Sequence, residues 1–239
     1  MRLLFLCYKS MKWSKSLQTV AASYANNVFI NCPFDDKYTP IRDAIVFAVF
    51  DCGFVPRSAL EEEDSGDVRF DKIKNLISAS KFGIHDISRT ELDSANKLPR
   101  FNMPLELGVF IGAARFGDSK QKNKTTLILD KEGYRYQNYM SDIASQDIRS
   151  HDNDPSQAMS HVRNWLNTAS GRQTIPGGAA ISVWYEKFQQ DLSNICTELD
   201  LAEEEVTYND YCNFVSDWLN AQHSCANKPL WLGINVCQL

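Results

Sequence analysis

The chain has 239 residues, of which 44% are hydrophobic and 23% charged, so it can bury a core of ordinary size and belongs to neither the disordered nor the fibrous classes. The formal net charge of −5 is opposite in sign to that of typical nucleic-acid-binding proteins, so we expect no nucleic-acid partner. No apolar run approaches the ~18 residues of a membrane span, and the apolar stretch at residues 1–8 is too short for a signal peptide, so we expect no membrane association.

The seven cysteines form no C-x-x-C pair, and no Cys/His group has the spacing of a zinc site. An odd number of unpatterned cysteines is typical of free thiols in a reducing compartment. The sequence therefore predicts a cytoplasmic protein with no metal centre.

Short apolar runs alternate with helical patterns along most of the chain. Thr39 and Pro40 form an N-cap and first-turn pair, Gly53 is placed to end the helix that follows, and Asp154-Pro155 starts another helix. Residues 61–67 are acidic, and they are predicted to form a loop. The predicted strands are residues 27–31, 54–56, 82–86, 125–130 and 146–150, and the predicted helices are 41–50, 70–80, 104–116, 136–143 and a segment that begins at 155.

This alternation predicts an α/β domain over residues 26–169, with a flavodoxin-like five-stranded parallel sheet and helices on both faces. Residues 1–25 precede it as an arm. A Gly/Pro-rich linker at 170–178 leads to a helical extension at 179–239, which is too small to fold alone. We expect the extension to pack on the α/β domain or on a partner.

In doubly wound sheets, ligands bind beyond the carboxyl ends of the strands. The first strand is followed there by a loop whose amides and aromatic ring could contact a nucleotide, although its acids could equally be turn residues. The third strand ends in an acid, a hydroxyl and a cation, which suit ribose and phosphate, although the acid could instead cap loop amides. The candidate binding residues are Asn31, Pro33, Phe34 and Asp35 in the first loop, and Asp86, Ser88 and Arg89 in the second.

Glu106 is the main candidate for chemistry. Pro104 sets the predicted helix start, so Glu106 falls near the first turn, where the helix dipole favours an ionised carboxylate. A carboxylate over the sheet edge suits a nucleophile or the stabiliser of an oxocarbenium ion. The alternative is a residue that interacts only with the dipole. Asn102 and Met103, in the turn entering this helix, are further binding candidates.

Three other side chains are expected near this edge. Arg57 and Arg69 flank the acidic loop, where they could contact phosphate or simply solvate the surface. Cys32 is a possible nucleophile, but no histidine partner is evident from the sequence. No dinucleotide-binding glycine motif or P-loop lysine occurs.

Three segments together resemble the bacterial TIR-like proteins and the related nucleoside 2-deoxyribosyltransferase-like proteins. They are Val-Phe-Ile-Asn-Cys-Pro-Phe-Asp-Asp, Gly-Ile-His-Asp-Ile-Ser-Arg, and Asn-Met-Pro-Leu-Glu-Leu-Gly-Val-Phe-Ile-Gly-Ala. The resemblance covers about residues 26–168 and implies a flavodoxin-like fold. By position, Glu106 matches the catalytic glutamate and Asp86 a substrate-contacting acid, so the resemblance makes both of them catalytic candidates.

The resemblance implies cleavage of an N-glycosidic bond, which in TIR enzymes is the nicotinamide–ribose bond of NAD⁺, often in antiphage defence. NAD⁺ would then be a substrate, with no separate cofactor, and the protein would be a homo-oligomer. Residues 100–103 (Arg-Phe-Asn-Met) depart from both families' usual pattern before the glutamate. Two alternatives therefore stay open: a non-catalytic nucleotide sensor or interaction module, and a nucleoside deoxyribosyltransferase.

Overall fold

The computed structural model describes residues 22–61, 68–90, 92, 100–143 and 146–226. Most of the N-terminal arm, the predicted acidic loop after residue 61 and part of the polar loop after residue 90 lie outside these ranges. The main elements, in order, are β1 (Asn27–Asn31), α1 (Thr39–Asp51), β2 (Val55–Arg57), α2 (Arg69–Ser78), β3 (Phe82–Asp86), α3 (Asn102–Phe116), β4 (Thr125–Asp130), β5 (Arg149–Ser150), α4 (Pro155–Ser170), α5 (Gly178–Glu198) and α6 (Tyr208–Ala226).

The five strands form one parallel sheet in the order β2-β1-β3-β4-β5. This is the order of the flavodoxin-like fold, so the predicted fold class is confirmed. None of the helices in the described ranges has the length and apolar character needed to cross a membrane.

Side chains along each strand alternate between two cores. Val28 and Ile30 of β1 belong to a large cluster with α1 and α4. Phe29, between them, joins Ile73 of α2 and Phe110 of α3 on the other face. This alternation determines which face each residue at the strand ends can reach.

The C-terminal helices share the first of these cores. The ring of Phe47 in α1 lies 5.2 Å from that of Tyr185, 5.6 Å from that of Phe188 and 6.3 Å from that of Trp218. Residues 44–49 of α1 are all buried, since the sheet covers one side of the helix and α5 and α6 cover the other. The extension therefore packs on the α/β domain.

Several helix boundaries follow their expected signals. Asp154 caps α4 by accepting a hydrogen bond of 2.9 Å from the Ser156 N–H group, and Gly53 takes a left-handed φ of 78° after α1. The Thr39 N-cap prediction is wrong by one residue, because Tyr38 occupies that position and Thr39 is already helical.

The connection between β4 and β5 differs most from expectation. The helix predicted at 136–143 is wrong: two 3₁₀ helices, Arg135–Asn138 and Ser141–Ile143, occur instead. Tyr134 precedes them with a left-handed φ of 61°, and Arg135 and Tyr139 both turn toward Asp130. These polar contacts favour short turns over a continuous helix. The strand β5 is correspondingly reduced to two residues.

The described cysteines Cys32, Cys52, Cys196 and Cys212 are free thiols, as predicted for them. Cys7 and Cys237 lie outside the described residues, and the side chain of Cys225 is also outside the description.

Candidate active site

A cavity of about 330 Å³ opens beyond the carboxyl end of β1, next to the first turns of α2 and α3. It brings together most of the residues predicted for the site. Its lining residues are Asn31, Cys32, Pro33, Phe34, Asp35, Arg69, Arg100, Asn102, Met103 and Glu106.

Glu106 is the fifth residue of α3, because that helix begins at Asn102 rather than at Pro104. Its side chain is buried, with 8% of the residue exposed. Burial raises the pKa of Glu106 to about 7, and the nearby Arg69 opposes this increase. The helix dipole had predicted a lowered pKa for Glu106, and this direction is wrong. Burial has the larger effect on the pKa, and Glu106 lies past the first turn, where the dipole is weaker.

Arg69, the first residue of α2, lines the same cavity, and its positive charge acts on Glu106. Its guanidinium carbon lies 5.8 Å from the ring centroid of Phe34, which is itself 37% exposed. Arg69 and Glu106, together with Asn102, also line an adjoining cavity of about 170 Å³, whose other walls are the apolar side chains of Phe70, Ile73 and Leu105. Arg69 and Glu106 thus line both cavities.

Asn31 connects β1 to the start of α3. Its amide donates a hydrogen bond of 2.8 Å to the Met103 carbonyl and lies 3.1 Å from Nδ1 of His85. Burial lowers the pKa of His85 to about 3, so this ring is neutral and its Nδ1 can accept from Asn31. Because Asn31 holds the first turn of α3 in place, it also positions Glu106 relative to the first loop.

Asp86 does not line the cavity. It is fully buried and accepts hydrogen bonds from the Tyr38 hydroxyl at 2.6 Å and the Ser88 N–H group at 2.8 Å, and its Oδ2 lies 2.9 Å from Nε2 of His151. The Asn153 N–H group donates a hydrogen bond to Nδ1 of His151. The ring proton is therefore on Nε2, which donates a hydrogen bond to Asp86. Asp86 follows His85 in β3 and points to the opposite face, the one covered by α1.

Asp86 and Glu106, which the sequence predicted at one pocket, therefore lie at different places in the structure. Asp86 and Ser88 hold β3, the start of α1 and the β5–α4 turn together, whereas Glu106 faces the cavity from α3. Sequence reasoning missed His151, because nothing local marks it; only the fold brings it next to Asp86.

The two other predicted cations have ion-pair partners. Nε of Arg57 binds Oε2 of Glu61 at 2.8 Å, and Arg57 does not line the cavity. Nε of Arg89 binds Oδ2 of Asp35 at 3.2 Å, so Arg89 braces the first loop from the end of β3. Arg100, which lines the cavity, was missed as a candidate, although it stands only two residues before α3.

Cys32 lines the cavity, but its environment does not favour a nucleophile. Burial, assisted by the negative charge of Asp86, raises the pKa of its thiol well above the ordinary value. The thiol is therefore protonated and unreactive at neutral pH.

Within the described ranges, no cluster of three or more His, Cys, Asp or Glu side chains could hold a metal ion. Comparisons with protein-family models, with curated proteins and with solved structures find no match to this chain.

Proposed function

We propose that this protein is an enzyme that hydrolyses the N-glycosidic bond of a nucleotide, with NAD⁺ as its substrate and Glu106 as its catalytic carboxylate. The observation that carries the proposal is the buried carboxyl of Glu106, whose pKa is raised to about 7, at the wall of a cavity that also contains arginine and aromatic side chains. The resemblance of residues 26–168 to TIR-like proteins agrees with it.

The reaction would convert NAD⁺ and water to nicotinamide, ADP-ribose and a proton. As the bond to nicotinamide breaks, positive charge develops on the ribose ring. A carboxylate held out of bulk water stabilises that charge more strongly than an exposed one, since the effective dielectric constant is low. The positively charged nicotinamide ring of the bound substrate would itself favour the ionised form of Glu106.

The charge distribution in the cavity supports a substrate with phosphates. Arg69 and Arg100 lie on the walls, and guanidinium groups bind phosphate oxygens in a bidentate manner. The partly exposed ring of Phe34 offers a surface on which a base can stack.

The acids that line the cavity favour NAD⁺ over a neutral nucleoside. Among the described residues, two carboxyl groups line the cavity, those of Glu106 and Asp35. Asp35 is paired with Arg89. Asp86 is engaged by Tyr38 and His151 on the other face of the sheet. A neutral base must be protonated as it leaves, whereas nicotinamide leaves NAD⁺ as a neutral molecule. One carboxylate is therefore enough for NAD⁺, and this argues against the deoxyribosyltransferase alternative.

Nicotinamide release from NAD⁺ by the purified full chain tests the proposal. We expect release by the wild-type protein and a loss of at least about a hundredfold in Glu106→Gln, as is typical when a charge-stabilising group is removed. Glu186→Gln, at an exposed position of α5, is the matched control and should retain full activity.

Equal rates for the wild type and Glu106→Gln would remove Glu106 from the chemistry. Tight NAD⁺ binding without any release, tested over a range of protein concentrations, would favour the nucleotide-binding module instead.

A further inference from the structure

A second concave site lies on the same sheet face as α3, away from Glu106. It is a groove of about 360 Å³, which we call the β4 groove. The β4–β5 connection, which ends beside this groove, forms short 3₁₀ helices rather than a continuous helix. The lining residues of the β4 groove are Ile111, Ala114, Arg115, Lys122, Lys124, Thr126, Ile128, Gln146 and Asp147.

The β4 groove is basic, although the chain as a whole is acidic. Arg115 and Lys122 are exposed, and neither has an ion-pair partner among the described residues. The acid in its lining, Asp147, is neutralised at 2.5 Å by Arg149. Two cations are therefore available to a ligand.

Lys124 adds a fixed positive charge beneath them. Its ammonium is buried and donates to the carbonyls of Ile77 and Ser80, while lying 4.5 Å from the ring centroid of Phe110. Burial is the main reason that the pKa of Lys124 falls to about 8, so its ammonium is mostly charged at neutral pH. A neighbouring anion would hold the proton more firmly.

The floor of the groove has a different character. Ile111 and Ala114 of α3 and Ile128 of β4 form an aliphatic surface, with Thr126 and Gln146 offering polar contacts beside it. A site with an apolar floor and cations on one side is suited to an amphiphilic ligand, with an uncharged body and an anionic end. The volume of the groove suits a small molecule rather than a polymer.

We propose that the β4 groove binds a small organic phosphate, whose phosphate groups contact Arg115 and Lys122 and whose uncharged body lies on the aliphatic floor. The site is separate from the Glu106 cavity, and the proposal does not depend on the function proposed for that cavity. Arg115 and Glu106 lie nine residues apart on α3, about 13 Å along its axis.

Calorimetric titration of the full chain with ADP, inorganic pyrophosphate and adenosine tests the assignment. The Arg69→Gln background is used throughout, so that binding in the Glu106 cavity is weakened. We expect ADP to bind more tightly than pyrophosphate, and adenosine most weakly, with affinity that falls as salt is added.

The variant Arg115→Gln/Lys122→Gln should weaken ADP binding by about tenfold or more, because it removes both charge-assisted contacts. The variant Lys74→Gln/Lys187→Gln changes the net charge equally at exposed positions of α2 and α5 and should bind as the parent does. Both substitutions in the groove are at exposed side chains, so circular dichroism and Tm should be unchanged.

Four results would overturn the proposal: no saturable ADP binding, ADP binding that the groove variant leaves unchanged, pyrophosphate as tight as ADP, or adenosine as tight as ADP. None of these bears on nicotinamide release, which is measured separately and tests the function proposed for Glu106.

Discussion

Replacing Glu106 by glutamine should stabilise the fold at pH 8 and have little effect at pH 5. The carboxyl has a pKa of about 7 in the folded chain, against an ordinary value of 4.5. Folding therefore takes up a proton between these pH values, and the stability of the wild type falls as the pH rises through that window. A shift of this size corresponds to about 3 kcal/mol, which the wild type loses by pH 8 and the variant does not.

Urea denaturation followed by tryptophan fluorescence at several pH values between 5 and 8 measures this difference. Other titrating groups affect both proteins equally, so the free energy of unfolding of the variant minus that of the wild type isolates Glu106. We expect the difference to grow with pH toward about 3 kcal/mol, at an unchanged m-value. The exposed Glu186→Gln control should show no such trend.

A difference that does not change with pH would refute the reasoning, because Glu106 would then have an ordinary pKa. A variant less stable than the wild type at pH 8 would show that Arg69 or another partner stabilises the carboxylate more than burial destabilises it.

Three further predictions concern the site and its support. The rate of nicotinamide release should rise through about pH 7 as Glu106 ionises, and Arg69→Gln should move that midpoint to higher pH, as measured by kcat/KM profiles. Tyr38→Phe should lower the free energy of unfolding by about 1–3 kcal/mol in urea denaturation, because it leaves buried Asp86 with one donor fewer. Gly83→Ala should lower the free energy of unfolding by about 1–3 kcal/mol in the same assay, since a Cβ atom would lie 2.6 Å from the ring of Phe110.

The fold could be predicted from the sequence because its signals are local. The three central strands are short apolar runs, and caps or glycines mark several helix ends. The 136–143 region has helical spacing too, but the attraction of Arg135 and Tyr139 to Asp130 depends on side chains brought together by the fold. No window of sequence contains that information.

The candidate site could be predicted only in part, for a related reason. The fold rule identifies the edge of the sheet, and it led to Asn31, Phe34 and Glu106, which line one cavity. It does not say which face each strand-end residue reaches. Asp86 reaches the α1 face of the sheet because its neighbour His85 packs against Phe110 on the opposite face. Tertiary packing determines which residues of the strand point to which face.

The position of α1 has a consequence for how the polypeptide can be divided. A chain truncated at the Gly/Pro-rich linker would expose Phe47 and its neighbours to water, so we expect it to aggregate rather than to yield an isolated α/β domain. Because the two stretches that the linker joins share one core, we expect them to unfold as a single cooperative unit. Through Phe47 and Trp218, α6 packs on a helix that begins directly after the loop that lines the cavity.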